Sequence, residues 1–508
     1  MTILADGSTL VEQDTEAALL TELQVSIRSL WASILRISEA SLRIDDNFYI
    51  VGGDSISAIR LASAAREAGL HLLATDIIRN PTIRAMAQIA QSTVINHDFD
   101  DDDTPTVTLA HMSPKDLTLL DVDEAQLDSD ILDVYPTTGL QTSLLMAGLV
   151  VEDAYIVCQG WNLPPDADSL RLKQAFENFT DHSNGMMFRT VFVFEPTSNR
   201  WLQALVRPRV KRMEWNTVAV ANEAELDLRV DEYQRGHAIQ QFPPGELLTR
   251  ACVFELNGRA RALVWSLHHA LLDHWAMDIV ISDIEILYAG RPLPPRRSFK
   301  PMIKYLERLD RTPSLDFWRN HLANATPTPF LLAPPGAPRF TTNASVVREV
   351  ETGHGSFTRK SGIMPSTLAT CAWSIVLAAH SNCNDVVFGQ VLAGRNAPIR
   401  DIGTMTGITI NTVARRVIQD AEATVLDSLR QIQADQIEIG KHETITLAEL
   451  QAEGIAVSGL FKSILNFRNL PASEIEEGVP SSAEGRLFEE RRNGGRDGYV
   501  SSLLCQFH

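Results

Sequence analysis

The chain has 508 residues, 44% of them hydrophobic and 21% charged, and a formal net charge of −19. That acidity argues against nucleic acid or an anionic membrane surface as the main partner, and the length predicts two or three cores rather than one. No apolar run reaches the length of a membrane-spanning helix, and the first residues lack the basic start and apolar core of a signal peptide, so a cytoplasmic location is expected. The five cysteines, Cys158, Cys252, Cys371, Cys383 and Cys505, are odd in number, far apart and without metal-ligand spacing. They read as buried or incidental thiols.

From Ala17 to Leu35, apolar residues including Leu19, Leu23, Ile27, Leu30, Trp31 and Ile34 recur at helical spacing and predict one amphipathic helix. Asn47-Phe48-Tyr49-Ile50-Val51 leads into Gly52-Gly53-Asp54-Ser55 and a second helical pattern from Ile56 through Ala65. The glycines permit a tight turn, and Asp54-Ser55 places oxygen-bearing side chains at a helix N-terminus. Further short helices are expected from Thr75 and from Pro81, giving a bundle of about four helices. On those four residues alone, Gly-Gly-Asp-Ser is an ordinary loop and cap. In its helical setting, the block Asp46 to Ile56 resembles the carrier (thiolation) domains of nonribosomal peptide synthetases. That resemblance implies a domain over residues 17–92 in which Ser55 receives 4'-phosphopantetheine from coenzyme A through a phosphopantetheinyl transferase. Ser55 is then an attachment site and not a nucleophile, with its phosphodiester among the free N–H groups of a helix N-terminus.

Residues 93–127 change character. Asn96 to Pro105 is acidic and unpatterned, without the alternating ligands, glycine and closing glutamate of a calcium loop, and reads as a solvated linker. Leu117 to Leu127 carries apolar residues that can pack on a neighbouring body.

Beyond the linker, strands are expected at Val191 to Phe194, Trp201 to Val206, Leu248 to Leu256 and Ala260 to Leu267, with helices over Ser143 to Val151 and Ala276 to Leu287. After the proline-rich Arg291 to Arg297, helices are expected around Met302 to Leu309, Leu315 to Leu322 and Ser366 to Ala379, and a strand at Asp385 to Leu392. The alternation predicts an α/β body of two halves, residues 128–298 and 299–508, with a cleft between them. His268-His269-Ala270-Leu271-Leu272-Asp273-His274-Trp275 stands where a strand gives way to a loop and then a helix, a junction that aims side chains into a cleft from a rigid backbone.

Spaced blocks along this body resemble condensation domains of the chloramphenicol-acetyltransferase-like superfamily, fungal synthetase branch. They are Tyr135 to Gln141, Phe188 to Phe192, His268 to Asp273, Val386 to Arg395, Ile410 to Val413 and Ile464 to Phe467. The resemblance covers nearly all of residues 128–500. It implies amide-bond formation by attack of an amine on a carrier-bound thioester, in secondary-metabolite or siderophore biosynthesis. It puts His269 in the tunnel where substrates meet, and pairs Asp273 with Arg189 in a structural ion pair. Trp275 and Asn411 are candidates for lining that tunnel. A free α-amine with a pKa around 8 is partly neutral near pH 7, so His269 can act as a base or simply orient the amine. Presenting tethered substrates in line supplies effective molarities of about 10⁵ M or more. For His268 the preferred reading is a buried, hydrogen-bonded side chain. The His-His-x-x-x-Asp pattern also suits zinc or iron by residue type, but no third ligand cluster is evident and no metal is expected.

The sequence departs from the family at His274, where a glycine is usual, and after Val500, where further strands and a helix normally follow. The second half is therefore expected to be incomplete, with an unpaired sheet edge. Glu351 to Gly355 reads as a strand end and turn. No adenylation domain lies in the chain, so loading is expected from an adenylation domain or synthetase modules in trans, and a downstream carrier is a further expected partner. Two other functions fit the domain order: intramolecular cyclisation by a terminal domain, and a non-catalytic carrier and docking protein.

Overall fold

The computed structural model describes residues 21–53, 55–70, 72–90, 130–150, 155–195, 199–328, 357, 360–467, 487–491 and 504–507. They fall into two compact units, one drawn from residues 21–90 with residue 357 and the segment 360–364, the other from the remaining described residues beyond 129. The expected linker at 93–127, with Leu117 to Leu127, and the expected turn at Glu351 to Gly355 lie outside the described residues.

The smaller unit is a bundle of helices α1 (Glu22–Leu35), α2 (Ser55–Glu67), α3 (Ala74–Arg79) and α4 (Ile83–Ala90). Thr21 and Gln24 form a capping box that starts α1 at a defined residue. Ile27 and Trp31 of α1, Ile77 of α3, and Ile83 and Met86 of α4 are fully buried around Phe48, whose ring meets Trp31 edge-on at 5.0 Å. Before α2 the chain turns through Gly52, at φ +112°, and Gly53 lies so close to Phe48 that an added Cβ would stand 2.3 Å from its ring. This contact requires glycine and fixes where α2 begins.

Among its described residues the larger unit holds three sheets. Strands β1 (Ile131–Pro136), β3 (Thr190–Glu195) and β4 (Arg200–Val206) form an antiparallel sheet in the order β1-β4-β3. Strands β2 (Ile156–Asn162), β5 (Glu214–Val220), β6 (Thr249–Leu256) and β7 (Arg259–His268) belong to the second. Strand β7 lies between β2 and β6 and is buried on both faces along most of its length, which is why it reads as a nearly continuous apolar run. Helices α5 (Gly139–Val150), α6 (Ser169–Asp181), α7 (Glu223–Arg235) and α8 (His274–Tyr288) complete the first half. Among them, α6 and α8 pack together and supply Phe176, Phe179, Val280 and Ile284 to its core.

The second half contains α9 (Lys300–Arg308), α10 (Thr312–His321), α11 (Pro365–Ser381), α12 (Val425–Gly440) and α13 (Leu447–Ala452). They accompany a sheet of β8 (Asp385–Leu392), β9 (Asn411–Ile418), β10 (Ser463–Asn466) and β12 (Leu504–Phe507). The sequence reading placed no strand after Val500. Strand β12 nevertheless pairs antiparallel with β10 from Ser463–Phe507 to Asn466–Leu504, so β10 is interior to the order β12-β10-β8-β9. The division at residue 298 is also crossed. Strand β11 (Glu489–Glu490) joins the first half's sheet beside β2, and Leu487 and Phe488 enter that half's core, Phe488 meeting Trp161 at 5.7 Å. Among the described residues, no helix is long and apolar enough to cross a membrane.

Candidate active site at the junction of the halves

Strand β7 ends at His268, where pairing with β2 stops. The backbone N–H of His268 donates to Leu248 O at 3.0 Å and that of His269 to Tyr155 O at 2.8 Å, so both residues are pinned from opposite sides. Tyr155 itself sits at φ +60°, a conformation that L residues with large side chains rarely adopt. The turn that follows is held by Gln141 of α5, whose side chain donates to Ala270 O at 3.0 Å and is paired with Gln203 of β4.

The two histidines differ in burial and in the hydrogen-bond role of Nδ1. His268 is buried, its Nδ1 accepts from Ala270 N–H at 3.1 Å, and burial, reinforced by neighbouring His269, pushes its pKa down to about 4. It is a neutral structural acceptor. The ring of His269 is half-buried, with Nδ1 2.9 Å from Leu272 O. A carbonyl oxygen can only accept, so Nδ1 carries the proton and Nε2 holds the lone pair. Among the described residues Nε2 has no hydrogen-bond partner. The geometry thus presents one oriented proton acceptor at the strand end.

Asp273 caps α8, accepting from Ala276 N–H at 2.8 Å. Its carboxylate also accepts from Thr409 N–H at 2.9 Å and Thr409 Oγ1 at 3.0 Å, and meets Arg395 Nη2 at 3.4 Å. The ion pair expected with Arg189 is not formed. Arg189 lies at the end of a 3₁₀ turn (Ser183–Arg189) directly before β3, and among the described residues its guanidinium donates to Val206 O at 3.4 Å. Arg395 takes its place because the Gly394 backbone, at φ +65°, packs so tightly on Thr409 O that a Cβ would stand 1.7 Å from it. That close approach brings the 394–409 loop under α8. Arg395 also donates to Ile402 O at 2.6 Å and Met405 O at 3.1 Å.

Two other expected residues are placed differently from expectation. Trp275 donates from Nε1 to Gly403 O at 2.9 Å, and Arg395 lies 5.2 Å over its ring, so it fastens α8 to the second half. Asn411 opens β9 with both amide hydrogens engaged, to Glu443 O at 2.7 Å and Ile445 O at 2.9 Å. It latches β9 to the α12–α13 connection, and no donor is left for a tunnel. His274 is the first residue of α8, where φ is helical and glycine is not needed, and its ring reaches Asp278 at 3.5 Å. Arg395, Thr409 and Gln141 carry the positioning that sequence reasoning missed. Arg395 and Gln141 lie inside recognisable blocks, whereas nothing in the sequence singles out Thr409.

For the smaller unit, Ser55 is the first residue of α2, a helix of 13 residues whose leading N–H groups have no intrahelical acceptor. Such an end suits a phosphodiester, so the residues present fit the group that the sequence implies. Among the described residues, no group of three His, Cys, Asp or Glu side chains is placed to hold a metal.

Comparison with known proteins agrees with this architecture. Residues 131–491 match the condensation domain family and residues 25–90 match the phosphopantetheine attachment site. The chain belongs to the condensation domain family and carries a phosphopantetheine carrier domain ahead of it. It is 30% identical over 510 residues to nonribosomal peptide synthetase atnA of Emericella nidulans, covering 96% of this chain and 6% of that protein. It is 31% identical over 399 residues to nonribosomal peptide synthetase apmB of Penicillium brevicompactum, covering 77% and 16%. The chain therefore spans a small part of the relatives it matches. The X-domain from teicoplanin biosynthesis superposes with a TM-score of 0.57 at 20% identity, covering 72% of this chain and 83% of that one, and shares its fold.

Proposed function

We propose that the larger unit forms an amide bond by transferring an acyl group from a carrier-bound thioester to an amine, with Ser55 as the attachment point of the carrier arm. The observation that carries this reading is the fixed tautomer of His269: Nδ1–H is committed to Leu272 O, which leaves the lone pair on Nε2. The pantetheine arm, when attached, supplies the thiol through which the acyl group is activated. His269 Nε2 accepts a hydrogen bond from the attacking amine, orienting its lone pair, and takes the proton that must leave nitrogen. His268, neutral and buried, keeps a second cation away from that nitrogen. Asp273 and Trp275 act as positioning residues, holding α8 against the second half.

The partners of this reading are a phosphopantetheinyl transferase with coenzyme A, an adenylation domain or synthetase module that loads the carrier, and a carrier that presents the amine. All are placed in the cytoplasm. The test loads the full chain at Ser55, follows the adduct by intact-protein mass spectrometry, and adds an amine acceptor. His269→Ala is expected to keep loading while lowering amide formation by about 10²–10⁴-fold. Unchanged amide formation in that variant, or loading that survives Ser55→Ala, overturns the assignment.

A further inference from the structure

A cavity of about 200 Å³ opens on the first half between α6, the 3₁₀ turn 183–189 and the segment that leads into β5. Phe188, Met213, Trp215 and Leu247 form one apolar wall, and Asp181 and Arg189 are among the charged residues that line the rest. That wall is preformed: the Phe188 ring packs on Phe179 at 5.8 Å and Trp265 at 5.3 Å, and Trp215 packs on Phe176 at 5.2 Å.

The charges around it are unequally satisfied. On the rim, Glu177 lies 4.0 Å from Lys173 and 3.9 Å from Arg212, and Lys211 is 3.1 Å from Glu246. Arg189 lines the same cavity but is 5% exposed. Among the described residues its guanidinium makes one long hydrogen bond, to Val206 O, and its Nε has no hydrogen-bond partner. Among the described residues, no carboxylate stands within ion-pair distance of its guanidinium. Burial accordingly lowers its pKa; Asp181, which lines the same cavity, offsets this, and Arg207 adds to it. A buried guanidinium without a directly paired carboxylate is costly, and a planar carboxylate is the group whose geometry best matches its fork.

We propose that this cavity binds a small aromatic carboxylate, with the carboxylate on Arg189 and the ring against Phe188, Met213 and Trp215. The size agrees, since a cavity of about 150 Å³ accommodates benzene and the extra volume admits one carboxylate. The apolar wall favours such a ligand over an inorganic anion, which would leave that surface uncovered.

The test is isothermal titration calorimetry of the full chain with benzoate, benzyl alcohol and inorganic phosphate. Benzoate is expected to saturate a single site, and the neutral and inorganic probes to bind at least about tenfold more weakly. Met213→Trp fills the cavity and keeps the cation, and is expected to weaken benzoate at least about tenfold; Arg189→Met is expected to do the same. No saturation by benzoate up to about 10 mM, equal affinity for benzyl alcohol or phosphate, or unchanged affinity in Met213→Trp overturns the proposal. Should Arg189→Met fail to unfold cooperatively, the neutral probe and Met213→Trp decide the matter by themselves.

Discussion

Asp273 and Arg395 meet across the two halves of the larger unit with both side chains excluded from solvent, Oδ1 and Nη2 3.4 Å apart. Asp273 stands at the start of the helix that follows His269, and Arg395 in the loop between β8 and β9. Neither charge has water to fall back on. Asp273→Ala would leave Arg395 buried and unpaired and remove a helix cap, and is expected to destabilise the larger unit by about 3–5 kcal/mol. Urea unfolding of a double-mutant cycle checks this: Asp273→Ala with Arg395→Met should show strong coupling, and Asp273→Ala with Arg189→Met should be additive.

Gly53 sets the entrance to α2. Gly53→Ala forces a Cβ into the Phe48 ring and backbone, so the bundle must shift where Phe48 holds Trp31. The expected outcome is a lower melting temperature for the smaller unit and slower transfer of phosphopantetheine to Ser55. Both are read on the full chain, by calorimetry and by mass spectrometry over time.

Glu443 is buried against the Asn396 amide at 2.9 Å, and burial raises its pKa to about 7 against an ordinary 4.5. Raised in the folded state, it contributes stability that is fully present below pH 4.5 and is lost as pH rises through 7. Glu443→Gln retains the acceptor oxygen and cannot ionise. The stability of the native chain relative to this variant is expected to fall by about 3 kcal/mol between pH 4.5 and 7.5. Paired urea titrations at the two pH values measure it.

His268 gives the opposite slope. Burial first, and His269 second, hold its pKa near 4 against an ordinary 6.5, so its contribution is present above pH 6.5 and is lost as pH falls through 4. In His268→Asn the side-chain oxygen can still accept from Ala270 N–H. The native chain is expected to lose about 3 kcal/mol relative to it between pH 7 and 4. Equal acid sensitivity of the two chains would count against a buried neutral imidazole.

The strands with strong apolar runs, β3, β4, β6, β7 and β8, were legible in the sequence because burial on both faces leaves few polar interruptions. Strand β5 was not, since at the edge of its sheet Glu214-Trp215-Asn216-Thr217 is only exposed or half-buried and carries no alternating apolar pattern. Strand β2 was hidden by Gln159-Gly160, where Gly160 admits the Gln234 side chain that an added Cβ would meet at 2.9 Å. The location of His269 was readable from the strand-to-helix junction, and its tautomer was not, because that depends on the carbonyl of Leu272 folding back within one turn. The partner of Asp273 was misread for a related reason. Periodicity locates elements, but which of two buried arginines reaches a carboxylate is decided by the backbone contact of Gly394 with Thr409.

Strand β11 gives the order of synthesis a physical meaning. The first half is made early, yet its sheet gains a strand beside Trp161, and its core gains Leu487 and Phe488, only when residues from much later in the chain emerge. Until the ribosome has delivered them, the edge of β2 and an aromatic face around Trp161 stay open to water and to other nascent chains. Translation of this polypeptide thus passes through a long interval in which a nearly finished half waits for its final stave, and that interval is where chaperone demand is expected to be greatest.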